Sequence, residues 1–151
     1  MNLRLIFLAI GLLGAICWAD DAGDRNKIVG AWELDNGGAK TSWILEKTSD
    51  GLHFTYMRGE EKLADFQCST SGHECDVQIS GKACKVSLYY SGPSLMMLET
   101  RGDTVIQRKF QTAAGGKEID VETASIVPTG KPEVLRLKRG AGQASGAKAA
   151  R

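Results

Sequence analysis

Between residues 27 and 139 the chain is cut roughly every ten residues by a glycine-bearing turn signal, and each piece between two cuts alternates apolar and polar side chains. The cuts include Asn36-Gly37-Gly38, Asp50-Gly51, Arg58-Gly59, Ser71-Gly72, Ser80-Gly81, Gly92-Pro93 and Gly102-Asp103. Such punctuation leaves no room for a helix with an apolar stripe. It suits strands, whose successive side chains point to opposite faces. In 27–35, Ile28, Gly30, Trp32 and Leu34 share one face, and Gly30 leaves room beside a large indole. The same period groups Trp43 with Leu45, Phe54 with Tyr56, Phe66 with Cys68, and Val86 with Leu88 and Tyr90. Ile106 with Phe110, Ile119 with Val121, and Leu135 with Leu137 continue the pattern. The expected fold class is all-β, a small antiparallel up-and-down barrel of about 8–10 strands, closed to remove its edges. A two-sheet sandwich shares the same sequence signs.

Residues 1–19 have a different character. Arg4 precedes an almost wholly apolar run to Ile16, and Cys17-Trp18-Ala19 follows. A basic start, an apolar core and a small terminal residue make an export signal, and the run is short for a membrane span. Cleavage is expected after Ala19. A retained membrane anchor is one alternative, and a lipid on Cys17 is another. The domain reading is then 1–19 signal peptide, 20–26 flexible polar leader, 27–140 barrel and 141–151 disordered tail. That last segment lacks large apolar residues and cannot bury enough surface to order itself.

The whole chain carries 19 basic and 18 acidic residues, and removing Arg4 with the signal leaves 18 of each. A neutral chain lacks the basic stripe that nucleic acid requires, and it has no electrostatic pull towards a membrane. Neither His53 nor His73 stands in a nucleophile–base arrangement, and no glycine-rich phosphate loop occurs at a strand-to-helix junction. Asp120 and Glu122 alternate with Ile119 and Val121, as a solvated face would. No catalytic residue, metal or cofactor is assigned, and an enzyme is not the expected reading. His73 with Cys68, Cys75 and Cys84 matches no zinc spacing, and an exported chain favours disulfides over thiolate ligands.

Hairpin geometry selects the disulfide. A turn centred on Ser71-Gly72 sets Cys68 opposite Cys75, within bonding reach. A turn centred on Ser80-Gly81 sets Cys84 opposite Val77 and only diagonal to Cys75. Cys68–Cys75 is therefore expected, with Cys84 buried and reduced.

Gly30-Ala31-Trp32 on a first strand, in an exported chain of short antiparallel strands, resembles the Gly-x-Trp signature of lipocalins and the wider calycin group. The resemblance spans the barrel residues and is to the small bacterial lipocalin-like proteins. It implies a cup with Trp32 packed at the closed end and an Arg of the last strand covering it. Arg139 is the candidate because it shares parity with Leu135 and Leu137; Arg136 is the second choice. It also implies a small apolar ligand in a cup lined by Trp43, Phe54, Tyr56, Phe66, Leu88 and Tyr90. The expected protein is a monomer without a stable membrane anchor. The competing reading is a protein-binding module, such as a periplasmic protease inhibitor that inserts residues 20–26 into a protease cleft.

Overall fold

A computed structural model of the chain describes residues 21–34 and 37–140. The expected signal peptide and the expected tail lie outside the described residues. One helix, α1 (Asp21–Ile28), precedes ten strands: β1 (Gly30–Leu34), β2 (Thr41–Lys47), β3 (Gly51–Arg58), β4 (Glu61–Ser69), β5 (Ser71–Ile79), β6 (Lys82–Ser91), β7 (Ser94–Arg101), β8 (Thr104–Ala113), β9 (Glu118–Val127) and β10 (Glu133–Arg139). Each strand pairs antiparallel with its sequence neighbours, and β1 pairs with β10, so the sheet is a closed barrel rather than a sandwich. The closing ladder sets Trp32 opposite Arg139 and Glu33 opposite Lys138.

The inward faces follow the sequence period. Leu45, Phe54, Val86, Leu88, Leu95, Met97, Phe110 and Ile119 have no exposed surface. Trp43, Phe54 and Phe110 meet edge to face at 5.6–6.3 Å, and Phe66 stacks on Phe54 at 5.4 Å. Small barrels fill their interiors with side chains in this way. Each large apolar side chain removed from water contributes about 1.5–3 kcal/mol.

The segment before β1 differs from the sequence expectation. Residues 21–28 form α1 instead of a flexible leader, and the strand begins at Gly30 rather than Lys27. Ile28, expected on the strand face, is the last helical residue and is wholly buried. The helix has no apolar stripe of its own, which is why periodicity misses it. It is held from outside: the Arg139 guanidinium donates to the Lys27 carbonyl at 2.8 Å and the Val29 carbonyl at 3.1 Å. Those bonds satisfy carbonyls that a helix C-terminus leaves open.

Candidate functional site

Strict up-and-down order gives the barrel two ends. One carries α1 and the β2–β3, β4–β5, β6–β7 and β8–β9 connections. It is closed. Trp32 donates its indole N–H to the Ile28 carbonyl at 2.7 Å, and both residues are wholly buried. Arg139 lies over the indole, 4.1 Å from its centre, and also donates to the Gly116 carbonyl at 3.0 Å. Gly30 has φ +138°, and a Cβ there would run into the guanidinium. The glycine therefore makes room for the arginine as much as for the indole. Arg136 points to the outer face, where it forks Asp120 at 2.7 and 2.9 Å. A shallow cleft of about 350 Å³ under α1 is lined by polar groups such as Asn26, Lys47 and Asp50 together with Val29, Leu52 and Tyr90.

The opposite end carries the β1–β2, β3–β4, β5–β6, β7–β8 and β9–β10 connections, and here inward-facing side chains are wet. Tyr56, Ile106 and Thr123 are half-buried, and Leu135 is 45 % exposed although its inward neighbour Leu137 is 1 % exposed. The two leucines share a face, as their parity requires, but Leu135 lies beyond the packed layer. Ile126, Val127 and Val134, also exposed, flank the β9–β10 connection at the same end. This end is the mouth.

A charged group stands in the wall below it. Leu95, Met97, Glu99 and Arg101 share the inward face of β7, and Ile106, Arg108 and Phe110 share that of β8. Glu99 has no exposed surface, and its two carboxylate oxygens contact Arg101 Nε and Arg108 Nη1 respectively. A buried carboxylate survives only with such partners. Two guanidiniums share one carboxylate, so this cluster carries one positive charge in excess. Cys84 is buried on β6 beside this group. Burial pushes its thiol pKa up and Glu99 adds to the shift, against the opposing pull of Arg101 and Arg108.

The side chains named from sequence fall into three places. Phe54 and Leu88 are wholly buried in packed core. Tyr90 is at the closed end, with Arg25 4.9 Å from its ring centre. Trp43 and Phe66 are each 8 % exposed, and Tyr56 stacks on Trp43 at 4.3 Å towards the mouth. The sequence reading missed Glu99, Arg101 and Arg108, although parity with Leu95, Met97 and Phe110 marks all three as inward. Cys68 and Cys75 form a disulfide with Cα atoms 5.9 Å apart, and Cys84 is free and buried. Two of the thiols a metal cluster would have needed are thus consumed. His73 is on the exposed hairpin, its Nδ1 2.7 Å from Ser71 Oγ. The protease-inhibitor alternative required a free leader, whereas Arg25 ties α1 to the Gly92 carbonyl at 2.8 Å and Arg139 ties its other end.

Fold and closed end together define a calycin-like barrel, with an aromatic interior and a charged cluster towards the open end. No family model and no curated protein matches the sequence. Solved structures do match the fold. A secretory abundant heat soluble protein from Ramazzottius varieornatus superposes with a TM-score of 0.65 at 15 % identity, covering 76 % of this chain and 96 % of its own. A Schistosoma mansoni fatty acid binding protein in complex with arachidonic acid gives 0.66 at 11 % identity, covering 79 % and 100 %. The fatty acid transporter REP1-NXSQ gives 0.65 at 11 % identity, covering 78 % and 99 %.

Proposed function

We propose that this protein is an exported, monomeric binding protein that holds a small apolar molecule bearing an acidic group in the mouth of its barrel. The carrying observation is the unbalanced charge of Glu99, Arg101 and Arg108 at the boundary between the aromatic core and the open end. The apolar part of the ligand would lie against Trp43, Tyr56, Phe66 and Leu135, and its anion would take the free donors of Arg108 and Arg101. Burial of ligand surface supplies affinity at roughly 25 cal/mol per Å², less the cost of association. Charge-assisted hydrogen bonds then select the anion. The fatty-acid proteins of the same fold favour this reading. The Cys68–Cys75 disulfide fits an oxidising compartment. Among the described residues no helix is long and apolar enough to cross a membrane.

Paired titrations test the proposal. A fluorescent fatty acid and its uncharged alcohol analogue should both bind, the acid more tightly. Arg108→Gln should weaken the acid about tenfold or more, as loss of a hydrogen bond to a charged group does, and leave the alcohol nearly unchanged. Equal affinity of acid and alcohol, or no saturable binding of either, would sink the reading.

A further inference from the structure

The cleft under α1 lies at the closed end, away from the mouth, and has the makings of a site of its own. Its apolar part is Leu52, which is 1 % exposed, with the half-buried Val29 and Tyr90. Its walls are fixed. The Arg25 guanidinium lies 4.9 Å from the centre of the Tyr90 ring and donates its Nε–H to the Gly92 carbonyl at 2.8 Å. The β2–β3 turn is bonded to itself. Thr48 donates its backbone N–H to the Gly51 carbonyl at 3.0 Å, and Gly51 donates back to the Thr48 hydroxyl at 3.1 Å. Thr70 donates its backbone N–H to the Asp50 carbonyl at 3.4 Å and so ties the turn to the β4–β5 hairpin. Gly51 leaves no space for a Cβ against the Cys68 carbonyl. A cleft held in this way loses little freedom when something binds in it.

The donors of the cleft are in surplus. The Nη groups of Arg25, the Lys47 ammonium and the Asn26 amide all belong to the lining, and none has a partner among the described residues. Asp50 is the one acid of the lining, and its Oδ1 already accepts from the hydroxyls of Thr48 and Ser49, each at 3.5 Å. Two cations thus face one occupied carboxylate beside an aromatic ring.

We propose that this cleft is a second ligand site, for a small anion with a flat apolar body, of the aromatic carboxylate class. The body packs against Tyr90, Val29 and Leu52, where ring-on-ring contact adds to the burial of area. The carboxylate takes the unused donors of Arg25 and Lys47, as charge-assisted hydrogen bonds. A volume near the lower end of small-molecule sites suits a ligand of about a dozen non-hydrogen atoms and excludes a long acyl chain. Arg25 and Asn26 come from α1 and Lys47 from β2, so the bound anion bridges the helix to the barrel. The site uses none of Glu99, Arg101 and Arg108 and stands apart from the reading of the mouth.

Amide shifts of the nitrogen-15-labelled full chain test the site. 2-Naphthoate should shift amides within 22–29, 47–52 and 90 and saturate at about millimolar concentration. 2-Naphthylmethanol, which lacks the charge, should bind there several-fold more weakly, and acetate, which lacks the ring, should shift nothing at the same concentration. Arg25→Gln should weaken naphthoate about tenfold and leave the alcohol nearly unchanged. Arg25 also holds α1, so Lys47→Gln is the second variant. Its ammonium supports no other group, and its loss should weaken naphthoate about threefold, with the alcohol again unchanged. Equal binding of naphthoate and the alcohol, shifts produced by acetate, or an unchanged naphthoate affinity in Lys47→Gln overturns the proposal. Shifts confined to amides around the mouth overturn it too and leave the mouth reading standing. Naphthoate in the cleft with no saturable fatty-acid binding supports this site and sinks the other.

Discussion

His53 is the residue whose titration is easiest to follow. It sits on the outer face of β3, with Nδ1 3.0 Å from Glu46 Oε2 and Nε2 2.5 Å from Asp65 Oδ1. Hydrogen bonds to Asp65 and Glu46 raise its pKa above the ordinary 6.5. Its contribution to stability is fully present below 6.5 and is lost as pH rises through the higher folded value. Lys62 and His53 lower the pKa of Asp65 from 3.8, so that contribution is present above 3.8 and lost as pH falls through the lowered value. The difference in Tm between the wild type and His53→Gln should therefore be greatest between 3.8 and 6.5 and shrink as pH rises through the raised value of His53. A difference that stays constant through that rise would show that the pair is not electrostatic. The exposed setting keeps the effect small. His53 was legible as an outer-face residue because it alternates with Leu52 and Phe54. Its partners were not, since Glu46 and Asp65 come from two other strands. Glu99 shows the opposite difficulty. Its parity was plain, but local pattern gives an inward acid no reason to exist until Arg101 and Arg108 are placed around it.

At the scale of elements, Gly30 and Arg139 act together. Gly30→Ala puts a side chain at φ +138° and forces the guanidinium off Trp32, so a loss of about 1–3 kcal/mol is expected from urea unfolding. In an Arg139→Ala background the same substitution should cost less, because the obstacle is gone. A double-mutant cycle measures that coupling, and strictly additive losses would refute it. Strands were readable because alternation and turn glycines are local. Helix α1 was not, because what stabilises it arrives from β10, more than a hundred residues away in sequence. The disulfide was readable for the same reason as the strands: one hairpin turn fixes the register of both cysteines.

For the whole molecule, closure was the undecided question, since a sandwich and a barrel use the same alternation. The Trp32–Arg139 register decides it, and no local pattern encodes a pairing between the two ends of the sheet. Export is the other whole-chain proposal. Protein recovered from outside the cytoplasm should have the intact mass of a chain that begins at Asp20, less the two hydrogen atoms lost on joining Cys68 to Cys75. A mass including residues 1–19 or a lipid would refute cleavage after Ala19. The closing ladder also has a consequence for how the chain is assembled. Every other strand pair forms between neighbours along the backbone, so most of the contacts are local and quick to find. Only β1 and β10 must search across the full length, and Gly140 ends that search by donating its backbone N–H to the Ala31 carbonyl at 2.9 Å. Both β10 and α1 meet at the closed end. A circular permutant that links Gly140 back to α1 and starts at Asp103 would turn the slowest pairing into a hairpin, and would pass the entropic burden of ring closure to β7 and β8.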